Sequence, residues 1–266
     1  MRDAVRLYFR YMGVSLRGQM QYRASFIMQA LSQFLVTGLD FVGLWALFAR
    51  FGSLRGWTLP EVALLYGVVG TAWGLTDGVA RGFDMFHVMV KDGGFDRLLL
   101  RPRNTALQLA GQELVMRRIG RLGQALAVLI WACWRLQAWH PAQLALLLAA
   151  VGGAVCLFYG ILVVQATTAF WTTESLEVFN TVTYGGVETG SYPMSIYRRW
   201  FRGFFTAVVP LACVVYYPGL MILGRAGALG PLAPLCWLAP LTGPLFLLLA
   251  FRAWQLGVRH YCSTGS

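Results

Sequence analysis

LALLLAAVGGAVCLFYGILVVQATTAF, residues 144–170, decides the fold class. It holds no charged side chain over 27 residues, and a helix crosses the hydrocarbon core of a bilayer in about 20. Backbone N–H and C=O groups find no water at that depth, so the run must coil into a helix that satisfies them internally. Gly152, Cys156 and Gly160 recur every four residues, a spacing that lets a second helix approach closely.

Five more apolar runs flank this one, at 24–49, 61–80, 115–136, 204–223 and 232–254. The run at 115–136 opens on Arg117, Arg118 and Arg121, whose long stems can snorkel to the interface. The whole chain is 58% hydrophobic and 12% charged, with a mean hydropathy of +0.59. Soluble domains carry roughly 25% charged residues, so the polar coat needed to face water all round is missing. The expectation is an all-α polytopic membrane protein, a single transmembrane domain over residues 1–266 with six spans. Pro210 and Pro218 interrupt the fifth run, and Pro234, Pro240 and Pro244 the sixth. Prolines free backbone groups that only protein or a water-filled cavity can satisfy at membrane depth. Broken or re-entrant helices are therefore expected between spans five and six.

Basic residues supply the orientation. Residues 1–23 place Arg2, Arg6 and Arg10 on one helical face and Val5, Phe9, Met12 and Leu16 on another, the pattern of an interfacial amphipathic helix. The first apolar run is too long for the core of a signal peptide, so it is expected to remain as a span. With both termini cytoplasmic, the inside segments collect 18 of the 22 basic residues, Arg198, Arg199 and Arg202 among them. Only Arg50, Arg55, Arg135 and Arg225 fall outside, which agrees with the positive-inside bias. That bias also accounts for the net charge of +11 without nucleic acid.

Polar residues inside the spans are candidates for a translocation path. Gln29, Gln33, Thr37 and Asp40 follow steps of four, four and three, which puts them along one side of the first helix. They could line a path or hydrogen-bond a neighbouring helix. Asp40 and Asp77 stand out because an acid within the membrane is costly and by default suggests function. Asp77 sits one turn from Gly74 in the series Gly70, Gly74, Gly78, so it should face protein or water.

Between the second and third runs lies KDGGFDRLLLRP, residues 91–102. Gly93-Gly94 breaks any preceding helix. Phe95, Leu98 and Leu99 recur at helical spacing, and Pro102 ends the turn. A short amphipathic helix of this kind suits a groove on a partner.

Chemistry of the chain's own is not expected. There is no Walker motif, Lys91 being the only lysine, and no H-E-x-x-H. His87, His140 and His260 are far apart, and the five cysteines form no C-x-x-C pair. No catalytic, cofactor or metal residue is therefore assigned, and energy for uphill transport would have to come from another chain.

The chain resembles the permease subunits of ABC-2 type transporters, and more narrowly a bacterial subfamily of similar length. The resemblance rests on DGGFDRLLLRP (92–102), on YPMSIYRRWFRGFFTAVVPLACVVYYPGLMILG (192–224), with its YP-x-x-IY start and later YYP, and on the overall plan. It implies a multi-pass protein of the bacterial inner membrane that works with cytoplasmic ABC ATPase subunits and a second permease, identical or related. ATP and Mg would be held by the ATPase. It further implies that 91–102 is the coupling helix, with Gly94, Phe95, Asp96, Leu98 and Arg101 touching the ATPase. The expected activity is ATP-driven export of an amphiphile such as a lipid, glycolipid, peptide or drug, along a path that includes Gln33, Thr37, Asp40 and Asp77. The alternative is a proton- or ion-coupled secondary transporter using Asp40 and Asp77, although no inverted repeat is visible.

Overall fold

A computed structural model describes residues 13, 18, 20–101, 104–111, 118–137, 139–172 and 176–261. Apart from its last few residues, the expected interfacial helix at 1–23 lies outside them, as do Pro102, Arg103, Arg117 and Cys262. The described residues are helical, with no strand beyond one isolated bridge between Leu54 and Trp57.

Helix α1 (Arg23–Phe51) leads through a short loop to α2 (Leu59–Val79). Thr58 caps α2: its backbone N–H donates to Glu61 Oε2 at 2.7 Å, and Pro60 sits in the first turn, where no N–H is missed. Four short helices follow, α3 (Arg81–Asp84), α4 (Phe86–Lys91), α5 (Gly94–Leu99) and α6 (Thr105–Ala110). Helices α7 (Ile119–Leu136), α8 (Pro141–Thr168) and α9 (Leu176–Gly190) come next, α7 packing on α2 and α8 on α12. The last third holds α10 (Arg199–Ala207), a π-helical turn (Ala212–Tyr216), α11 (Tyr217–Ile222), two 3₁₀ pieces (Ala226–Trp237 and Ala239–Leu241) and α12 (Thr242–His260).

Glycines set the closest packing. A β-carbon at Gly67, Gly70 or Gly74 would stand 2.7, 2.9 or 3.1 Å from Leu129, Ala125 or Leu122, so α2 and α7 run antiparallel in near backbone contact. Gly78 faces open space, and the seam is shifted by a turn from the Gly70, Gly74, Gly78 spacing. On α8 the working residues are Gly153, against Pro240 and Gly243, and Gly160, against Phe246 and Leu247. Gly152 meets nothing within 4 Å. Close contact through small residues is how helices associate where lipid offers no hydrophobic drive.

Two ends of the bundle can be told apart. At the loop end, Arg225 Nε donates to Glu61 Oε1 at 2.9 Å and its Nη2 to the Gly56 carbonyl at 2.8 Å, with the guanidinium 4.8 Å over the Trp57 ring. Gln143, at the start of α8, donates to the Ile222 carbonyl at the same end, at 3.1 Å. At the opposite end, Trp254 Nε1 donates to Thr105 Oγ1 at 3.2 Å, tying α12 to α6.

Among the described residues, four stretches are long and apolar enough to cross a membrane: α1, α2, α8 and Ala239–His260. Helix α7 lies along α2 over the same depth but carries Arg121 and Arg135.

The expected fifth span, 204–223, is not one helix. α10 and the segment Ala212–Ile222 are bent by 85°. The bent pair begins and ends at the loop end, since Arg55 Nη1 donates to the Ser195 carbonyl at 3.0 Å and Trp57 packs 6.0 Å from Tyr216. Between these points it dips until Leu211 touches Gly190 and lies beside Val69 of α2. Helix α9 and its extension also run between the two ends: Thr183 Oγ1 reaches Gln165 Oε1 at 3.5 Å, Tyr184 packs 5.6 Å from Trp73, and Ser195 is at the loop end. The physical cause is composition. At 15 residues, with Glu177, Asn180 and Glu188 along it, α9 is too short and too polar to stand out as an apolar run, while Pro210 breaks the more apolar one that follows.

Candidate functional site

Two features could serve transport, a polar cavity between helices and the α3–α6 segment beneath them.

A cavity of about 130 Å³ lies between α1, α2, α7 and α9. Thr37 and Asp40 line it from α1, Tyr66 and Trp73 from α2, Arg121 and Gln124 from α7, and Tyr184, Glu188 and Tyr192 from α9 and its extension. Tyr66 donates to the Thr37 carbonyl at 3.3 Å, binding two of the walls. The structure thus brings Thr37 and Asp40 to one cavity and leaves Gln33 out. Gln33 is half-buried, and its carbonyl accepts the Thr37 hydroxyl at 2.8 Å.

Asp77 is not in the cavity wall either. It is buried and ion-paired to Arg118, with Arg121 Nη1 3.7 Å from its other oxygen. Arg121 therefore bridges the cavity and the buried acid. Sequence reasoning missed this pairing, together with Tyr66, Gln124, Glu188 and Tyr192. The available signal was Asp77 at the end of one helix and three arginines at the start of the next, which antiparallel packing must bring together.

The segment end is built on aromatic rings. Phe95 is fully buried, with ring centroids 5.0 Å from Phe86, 5.5 Å from Phe170 and 4.9 Å from Tyr261, and with Trp254 at 6.3 Å. These partners come from α4, the end of α8 and the end of α12. Leu98 is also buried, and its carbonyl accepts Gln108 Nε2 at 3.4 Å. Asp96 lies by Tyr261: burial pushes the Tyr261 hydroxyl pKa up, and the carboxylate adds to the shift. A second polar tie runs from Arg81, ion-paired with Asp84, through Gln165 Nε2 at 3.4 Å from Asp84 Oδ1, to Thr183 of α9.

Of the five residues expected to touch a partner, Phe95 and Leu98 face inward and anchor the segment. Gly94 packs on Met89, with a β-carbon there 3.1 Å from Met89 Cγ, and Asp96 is half-buried. Arg101 is exposed, as are Lys91, Asp92, Arg97, Leu99 and Leu100, the last at 85%. The contact set implied by the family resemblance thus divides between a buried pair, Phe95 and Leu98, and an exposed Arg101. Gly93, at φ 65°, supplies the left-handed turn between α4 and α5 that only glycine adopts without cost. Beside α5 lies an open groove of about 490 Å³ lined by Met85, Val88, Met89 and Leu98 and edged by Asp92, Arg97 and Arg101.

The chain matches the family model described as ABC-2 family transporter protein over residues 34–265. It belongs to the ABC-2 transporter family. Neither a curated protein nor a solved structure matches it. As an ABC-2 permease it is a membrane-embedded subunit of a transport system, and both the cavity and the α3–α6 segment lie within the matched residues. The family implies association with ABC ATPase components.

Proposed function

We propose that this ABC-2 permease is the membrane subunit of an ATP-driven exporter of an amphiphilic substrate, and that cytoplasmic ATPase subunits drive it through the exposed face of residues 91–102. ATP and Mg would be handled on those subunits, and a second permease, identical or related, would complete the path. Both termini and the α3–α6 segment would be cytoplasmic, in a bacterial inner membrane, with six passages made by α1, α2, α7, α8, α9 and α12.

One observation carries this reading. Phe95 joins the segment to the ends of α8 and α12 through a continuous aromatic cluster. A force applied to Leu99, Leu100 and Arg101 on the outer face of α5 would be delivered at once to two membrane helices. Packed interiors transmit strain because they contain few voids. Moving Arg198, Arg199 and Arg202 to the loop end takes three from the 18 basic residues first assigned inside, and 15 of 22 remain there. The positive-inside orientation therefore survives the correction.

Asp40 and Glu188 facing a common cavity support a polar station partway across the bilayer. The ion-coupled alternative is less well supported, because Asp77 is buried and both its carboxylate oxygens are faced by arginines. Purification of the tagged full chain from its host membrane, followed by mass spectrometry, tests the proposal. The expected result is an ATPase with Walker motifs in fixed proportion to the permease. Transport by the chain alone, driven by an ion gradient, would overturn it.

A further inference from the structure

The bent pair puts positive charge where the topology rule does not want it. Arg198, Arg199 and Arg202 are exposed on α10, and the Ser195–Arg55 contact fixes that helix at the loop end, away from the bulk of the basic residues. Among the described residues no ion pair involves any of the three; Glu61 at that end is taken by Arg225, and Glu188 faces the cavity.

Helix α10 is built to lie at an interface. Tyr197, Phe201 and Phe205 form a ring ladder at 5.0 and 4.9 Å that turns toward the protein, and Phe205 is buried. Arg198 and Arg202, four residues apart, lie on another face. Trp200, on the side of the helix turned away from Arg198 and Arg202, is 71% exposed, and tryptophan is the residue that favours the headgroup level of a bilayer. Three uncompensated guanidiniums on a helix with an uncovered indole match an anionic lipid, whose phosphate accepts charge-assisted hydrogen bonds from arginine. A second copy of this face is a poor occupant, because like charges would meet.

We infer that α10 is a docking site for anionic phospholipid, holding the headgroup phosphate between Arg198, Arg199 and Arg202 with Trp200 at the glycerol level. Assigning it to the outer leaflet rests on the orientation proposed above; the binding itself does not. The chain runs directly from this helix to Tyr192 at the cavity wall, so a headgroup held there stands beside the polar station.

The test uses the full-length permease in neutral detergent, with dye-labelled phosphatidylglycerol and phosphatidylcholine followed by fluorescence anisotropy. Phosphatidylglycerol should bind about tenfold more tightly, a modest expectation for three basic residues near an anionic surface. R198Q/R199Q/R202Q should bring the two lipids to within about twofold, while R97Q/R101Q at the opposite end keeps the preference. Should the triple variant fail to elute as folded protein, salt decides on the wild type, because raising it from about 50 to 500 mM shortens the screening length and must erode the preference several-fold. Equal binding of both lipids, a salt-independent preference, a triple variant that retains it, or full competition by equimolar glycerol phosphate would each overturn the site. None of those results touches the ATPase-driven reading, which is judged on the co-purified ATPase.

Discussion

Phe95 shows how one buried ring can hold a surface segment in place. Its ring is enclosed by Phe86, Phe170, Trp254 and Tyr261, so Phe95→Ala should cost about 3–5 kcal/mol and lower the melting temperature in detergent. Leu100→Asp lies on the open face and should leave melting unchanged, within the roughly 0.5 kcal/mol usual for surface changes, while weakening ATPase association. Equal melting temperatures for the two variants would place Phe95 outside the core. Asp77 makes the second residue-scale case. Removing its charge strands Arg118 and Arg121 at a partly buried site, and breaking such a pair typically costs about 3–5 kcal/mol. Asp77→Asn should therefore reduce the yield of folded protein, and D77N/R118Q should recover part of it. A fully stable D77N with altered ion dependence of transport would instead favour the ion-coupled mechanism.

Among helices, glycine positions distinguish real seams from coincidental spacing. A β-carbon at Gly120 would run into the Ala30 carbonyl, whereas one at Gly78 meets nothing. Gly120→Ala should separate α1 from α7 and destabilise the protein, while Gly78→Ala should be neutral or mildly stabilising through helix propensity, as thermal unfolding of the two variants would report. These elements also show what the sequence could reveal. Length and apolarity located α1, α2 and α8, because a bilayer demands both whatever the neighbours are. Helix α9 was illegible by the same measure: it is only 15 residues long, and Glu177, Asn180 and Glu188 interrupt its apolar residues. The cavity was half legible. Helical periodicity on α1 pointed to Thr37 and Asp40, but the opposing walls from α7 and α9 depend on packing that no local pattern encodes. Spacing also found α5 yet could not tell its core face from its free face, since Phe95, Leu98 and Leu99 are all apolar.

Across the whole molecule, the proposed topology puts α10 and α5 on opposite sides of the membrane. In a variant with its native cysteines replaced, Arg199→Cys should react with an impermeant maleimide added outside intact cells, and Asp92→Cys only after permeabilisation. Matching behaviour at both positions would return α10 to the cytoplasmic side. With that topology, the arrangement becomes a lever: an exposed strip at Lys91, Asp92 and Leu99–Arg101, an aromatic joint at Phe95, and the helices α8 and α12 leading back toward the loop end. The decisive measurement is ATP hydrolysis by the purified permease–ATPase complex, comparing wild type with L100D/R101E at equal membrane expression. The variant is expected to lose the bound ATPase, or the hydrolysis stimulated by the permease, while its own fold survives. A variant that retains both would contradict coupling through this face.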